Sequence, residues 1–242
     1  MFVNHKSVIV LLLLCASASA GPITVPNFSF ESPAVLRDMD NPFGALPFLD
    51  DWDENAAGPA DEFDQNTGVF LNTDPSSADH ITNADQQRLA FVSSLIGNDL
   101  RQQLPVSYEL GQTYTLTVAV GTSAMFPVGA TEELEIGFFY MDAGTEQVIA
   151  SIDIPGSSVG TTTLSDFTII IPPFGSNDAW ANQPIGILIR PAGDDVDDLD
   201  GEGFWNLDNV RVVPEPATLA LLTCGGLLAL RGRRSQRGLH VR

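Results

Sequence analysis

The sequence predicts an all-β protein, an antiparallel β-sandwich of jelly-roll type, and three observations lead there. Apolar residues recur at every second position in a series of short segments. Those segments are separated by turn-forming residues, with 21 glycines and 16 prolines in 242 residues. No stretch of the middle of the chain keeps the 3.6-residue period of a long helix.

Taken in chain order, the candidate strands are RLAFVSS, TYTLTVAV, ELEIGFFYMD, QVIASID, DFTIII, PIGILIR and GFWNLDNVRV. In TYTLTVAV, residues Tyr114, Leu116, Val118 and Val120 share one face, and threonines with Ala119 form the other. ELEIGFFYMD aligns Leu134, Ile136, Phe138 and Tyr140; PIGILIR aligns Ile185, Ile187 and Ile189. In the last strand Trp205 and Leu207 share a face, but Val210 and Val212 fall out of phase by one. That slip predicts a β-bulge near Asp208 and Asn209, which re-aims the Asp208 side chain.

Two appendages flank this region. At the N-terminus, His5 and Lys6 precede the apolar run Val8–Ala16 and the small residues Ser17–Ala20, the pattern of a signal peptide over residues 1–20. At the C-terminus, Pro214, Glu215 and Pro216 precede an uncharged segment, residues 217–230, which is followed by Arg231, Arg233 and Arg234. As a helix that segment spans about 21 Å, short of a ~30 Å hydrocarbon core. The arginines orient it with the domain outside and the end of the chain in the cytoplasm. The expected domains are therefore a signal peptide (1–20), a β-sandwich ectodomain (21–213) and a C-terminal transmembrane tail (214–242).

Charge narrows the partners. Residues 21–213 hold 30 acidic and 5 basic side chains, a net charge of −25, with no lysine. Nucleic acid and anionic lipid are excluded, because neutralising phosphates takes Lys and Arg. Cys15 and Cys224 both lie outside this region, so no disulfide can staple it.

Proline-glutamate-proline, short apolar helix and terminal arginine cluster, in that order, resemble the PEP-CTERM sorting signal of Gram-negative bacteria. The resemblance implies recognition by an exosortase-type transpeptidase, transient anchoring in the inner membrane, and a final place on the cell surface or in extracellular matrix. The ectodomain carries a second resemblance. VPNFSFESP (Val25–Pro33), GQTYTLTVAVG and FWNLDNVRV (Phe204–Val212) are similar to the galactose-binding-like jelly rolls of secreted carbohydrate-binding modules, a group to which the hapalindole-type cyclases are related. It implies a structural Ca2+ where the first and last strands meet, held by Glu31 and Asp208; calcium's preference for carboxylate and carbonyl oxygen agrees with that pair. The alternative is that both carboxylates face solvent at strand ends.

Catalytic motifs are sparse. Residues 21–213 have one histidine, His80, expected on an exposed loop, and neither a cysteine nor a G-x-S-x-G elbow. Zinc lacks ligands. The acidic runs at 50–54 and 194–202 read as solvated loops, and the second does not fit an EF-hand frame. Trp52, Phe63, Phe70 and Trp180 are the aromatics outside strong periodicity and hence the candidates for stacking on extracellular polysaccharide, with core packing as the competing explanation. The expectation is thus a non-catalytic, calcium-tied binding or matrix protein. The alternatives are a purely structural acidic matrix protein and an enzyme, whether lyase, cyclase or glycosidase, on the same scaffold.

Overall fold

In the computed structural model, eleven strands form two antiparallel sheets among the described residues, which are 21–39, 41, 44–55, 66–192 and 203–216. They are β1 (Ala45–Leu46), β2 (Asp53–Asn55), β3 (Thr67–Leu71), β4 (Arg88–Ser93), β5 (Asp99–Ser107), β6 (Gln112–Thr122), β7 (Glu133–Asp142), β8 (Thr145–Pro155), β9 (Ser165–Ile171), β10 (Pro184–Ala192) and β11 (Phe204–Pro216). One sheet has the order β1-β3-β4-β11-β6-β9 and the other β2-β5-β10-β7-β8. The chain changes sheet at every step except β3→β4 and β7→β8, so each sheet is built from distant parts of the sequence. Helix among the described residues is limited to one 3-10 turn, Gly156–Ser158.

The alternation read from the sequence sets the core. Tyr114, Leu116, Val118, Val120, Trp205 and Leu207 face inward from the first sheet and meet Leu134, Ile136, Phe138, Ile185, Ile187 and Ile189 of the second. Tyr140 packs against this core while partly exposed. The expected bulge is present: pairing of β11 with β6 shifts between Asp208 and Arg211, and Asn209 takes a left-handed φ of 51°. Val210 and Val212 thereby return to the core. Ile23 pairs with Val212, which brings the start of the domain onto its last strand.

β11 runs on through Pro214, Glu215 and Pro216, in register with Tyr114, Thr113 and Gln112 of β6. The expected signal peptide (1–20), segment 217–230, the terminal arginines, the acidic run from 194 and Phe63 lie outside the described residues. No helix among the described residues is long and apolar enough to cross a membrane.

Candidate functional site

Where the terminal strands meet, two carboxylates grip one loop. Asp208 is fully buried; its Oδ2 accepts the Asp85 amide at 2.5 Å and its Oδ1 the Asn209 amide at 2.7 Å. Glu31 Oε1 accepts the amides of Gln87 (2.8 Å) and Arg88 (2.7 Å), and its Oε2 pairs with Arg88 Nη1 at 2.8 Å. Strand alternation places Asp208, level with Ala119, on the face opposite Leu207 and under this loop, and the bulge that follows at Asn209 returns Val210 to the core. Burial pushes the Asp208 carboxyl up to about 7 against the pull of its two amides, and the charges of Asp85 and Glu31 push the same way. Three non-glycine residues with left-handed backbone, Phe30, Gln86 and Asn209, lie in the three chain segments that meet here. Both oxygens of each carboxylate are thus engaged by backbone amides or Arg88, and among the described residues no group of three or more His, Cys, Asp or Glu side chains is gathered as a metal would need.

The second feature lies on the outer face of the five-stranded sheet. Register places Arg101, Leu188 and Gly137 side by side on β5, β10 and β7, with Gly186 and Phe139 in the next row on that face. Leu188 and Phe139 point away from the core and belong to neither core cluster, yet they are 0% and 2% exposed. Gly186 makes room for the Phe139 ring: a Cβ there would meet ring carbons at 2.6 Å. Around this apolar floor stands a chain of ion pairs. Arg190 Nε donates to Glu135 Oε2 (2.6 Å) and its Nη1 to Glu146 Oε1 (3.2 Å), Arg101 Nε lies 3.0 Å from Glu146 Oε2, and Arg101 Nη2 donates to Asp99 (2.7 Å).

The aromatics expected to stack on sugar are placed otherwise. Trp52 is 6% exposed, packed on Phe30 at 5.3 Å between ring centroids, so it offers no open face. Trp180 is partly buried against Phe174, and Phe70 lies half-buried beside Phe91. These three do not converge on one surface. The acids around Trp52 are not simply solvated either: Glu54 accepts hydrogen bonds from Thr67 Oγ1 (2.7 Å) and the Leu49 amide, and burial raises its pKa. His80 is half-buried, with Nδ1 2.7 Å from the Thr73 carbonyl, rather than exposed.

Sequence reasoning missed the floor on β7 and β10, although a signal existed. GFFY and IGILI are apolar at consecutive positions, which is the mark of a strand covered on both faces.

Fold and site define a jelly-roll sandwich with a carboxylate-lined junction and a covered outer face. Solved structures of this architecture include a cyclase from Fischerella sp. TAU, at a TM-score of 0.58 and 20% identity over 81% of this chain and 98% of that one. A cyclase from Fischerella sp. TAU in complex with 4-(1H-indol-3-yl)butan-2-one matches at a TM-score of 0.57 and 22% identity, covering 82% of this chain and 99% of that one. Carbohydrate-binding modules also align, among them one in complex with β-1,4-galactotriose at a TM-score of 0.42 and 12% identity over 79% of this chain and 97% of that one. No curated protein matches the chain. The profile of the HpiC1-like family, described as HpiC1 cyclase, matches residues 21–213, and the chain belongs to that family. This corrects the expectation of a non-catalytic binding or matrix protein: the family is one of cyclases, and the enzyme alternative is the reading that fits.

Proposed function

We propose that the protein is a cyclase that binds a small ring-bearing molecule on the outer face of its five-stranded sheet and promotes ring closure there by proton transfer. The match of the whole sandwich, residues 21–213, to a cyclase family carries this reading. Leu188 and Phe139 supply an apolar floor, and Glu135, held by Arg190, is the carboxylate beside it that general acid–base chemistry would use. The first probe is 4-(1H-indol-3-yl)butan-2-one, which a structurally similar cyclase binds.

Calcium is the cation that the carbohydrate-binding-module resemblance implies at Glu31 and Asp208; their meeting at the junction of the terminal strands supports it, and a cation there would have to displace the amides and Arg88 that these carboxylates hold. When bound, it supplies positive charge that ties the first and last strands together. The order of features at the two ends of the sequence supports export, passage through the inner membrane and recognition by an exosortase-type transpeptidase.

The test is titration of the full chain with 4-(1H-indol-3-yl)butan-2-one by calorimetry, followed by incubation with indoles that carry an unsaturated side chain. Cyclisation conserves mass, so turnover appears as a product of equal mass and altered retention. Saturable binding lost in Gly186→Val, whose side chain would displace the Phe139 ring, supports the site. Absence of both binding and equal-mass conversion overturns the reading.

A further inference from the structure

We propose that the β7–β8 hairpin is a hinged cover over the outer face of the five-stranded sheet and that Glu146 is its latch. The proposal rests on that face being the ligand site and adds how access to it is controlled.

Register makes the case. Arg190 is level with Glu135 on β7, whereas Glu146 is level with Met141, six residues further along the same strand. In a flat sheet six residues separate two points by about 20 Å, and β8 stands a further strand away. Two side chains cannot bridge that gap, yet Arg190 Nη1 and Glu146 Oε1 are 3.2 Å apart. Arg101 lies even further off laterally, on β5, and its Nε is 3.0 Å from Glu146 Oε2. Both contacts require the hairpin to fold back across the face.

The fold-back has a structural origin. Pairing of β7 with β8 slips between Phe138 and Phe139, where the partner skips from Ala150 to Val148. A bulge of this kind bends its strand, and this one lies at the root of the hairpin. The tip is tight: Ala143 and Gly144, between Asp142 and Thr145, both take left-handed φ (48° and 86°), as a two-residue hairpin turn demands. A stiff tip beyond a bend moves as one body. Glu146, two residues past the tip, joins that body to two strands it does not pair with. Leu188 and Phe139, on the face beneath, are sealed from solvent. Ion pairs at partly exposed side chains are individually weak and screened by salt, so such a latch can open without unfolding the sandwich.

The test uses the full chain with Cys15→Ser and Cys224→Ser, so that Leu188→Cys supplies the one thiol. Maleimide labelling under native conditions then reports opening. We expect slow labelling that accelerates about tenfold or more with Glu146→Gln, and that also accelerates with added sodium chloride while Glu146 is present. Because Leu188→Cys could disturb packing, hydrogen exchange of residues 143–150 is compared in the chain with native Leu188, with and without Glu146→Gln. Faster exchange confined to the hairpin, with β5 and β10 unchanged, supports the latch. Labelling and hairpin exchange that ignore both Glu146→Gln and salt overturn it. Binding of 4-(1H-indol-3-yl)butan-2-one is read separately. A latch that opens on a face that takes no probe leaves the cover standing and removes the ligand; probe binding with unaltered opening does the reverse.

Discussion

At Asp208, burial has placed a carboxylate where its charge is costly, and the consequence can be measured through pH. Its folded-state pKa, about 7 against 3.8 for the ordinary group, means that the folded chain holds the proton more tightly than the unfolded one. Stability from that proton is full below about 4 and is lost as pH rises through about 7. Chelator-treated protein is therefore expected to melt at lower temperature as pH increases across this window. Asp208→Asn flattens the trend by removing the charge. With the proposed calcium site, added calcium is expected to restore stability at neutral pH, by about 2.7 kcal/mol at a hundredfold excess over Kd. Melting that is indifferent to chelator in the parent removes the metal from the account. Asn209, at φ 51°, is a second residue-scale test: Asn tolerates the left-handed region better than Ala, so Asn209→Ala should cost about 1 kcal/mol by denaturant titration.

Elements differ in how far the sequence disclosed them. β6, β7, β10 and β11 were legible because alternation and burial agree along them, and the bulge in β11 was legible because its two apolar pairs are out of phase. β5 was not: its inward row includes Gln102, which is buried only because it donates to the carbonyls of Pro26 (3.1 Å) and Asp51 (2.6 Å). No local pattern announces partners so distant in sequence. β1 and β2, two and three residues long, are too short to show a period. Of the site, Glu31 and Asp208, expected as calcium ligands, do meet at one junction but hold amides and Arg88 there, while the buried outer row of Leu188 and Phe139 was missed because apolar residues at consecutive positions were read as one face only. The β3–β4 loop offers a prediction at this scale. Asn83 exchanges hydrogen bonds with Leu164 (2.9 and 2.8 Å) and so holds the loop over the second apolar cluster of Ile81, Leu89, Ala119 and Leu164. Asn83→Ala should cost about 1–3 kcal/mol and speed hydrogen exchange of residues 72–87, with the sandwich strands unaffected.

The molecule as a whole combines a strongly acidic surface with a core that has no covalent cross-link. Self-repulsion among the 30 acidic and 5 basic side chains of residues 21–213 lowers the stability of the compact state, so salt should raise the melting midpoint of the full chain progressively. The same salt weakens the ion pairs of Glu146. Opposite responses of global melting and hairpin opening to one variable separate the two scales in a single titration; parallel responses would mean that the hairpin opens only when the sandwich does.

The extension of β11 has a mechanical consequence. Its last six residues run antiparallel to β6 in unbroken register, and Ile23 is paired to Val212 within the same stretch. Tension applied to the chain beyond Pro216 acts along the strand axis, so the rungs of the ladder are loaded together in shear instead of peeling one after another. A strand paired in this way can carry a pull along its axis from its C-terminal end while the sheet behind it keeps its shape.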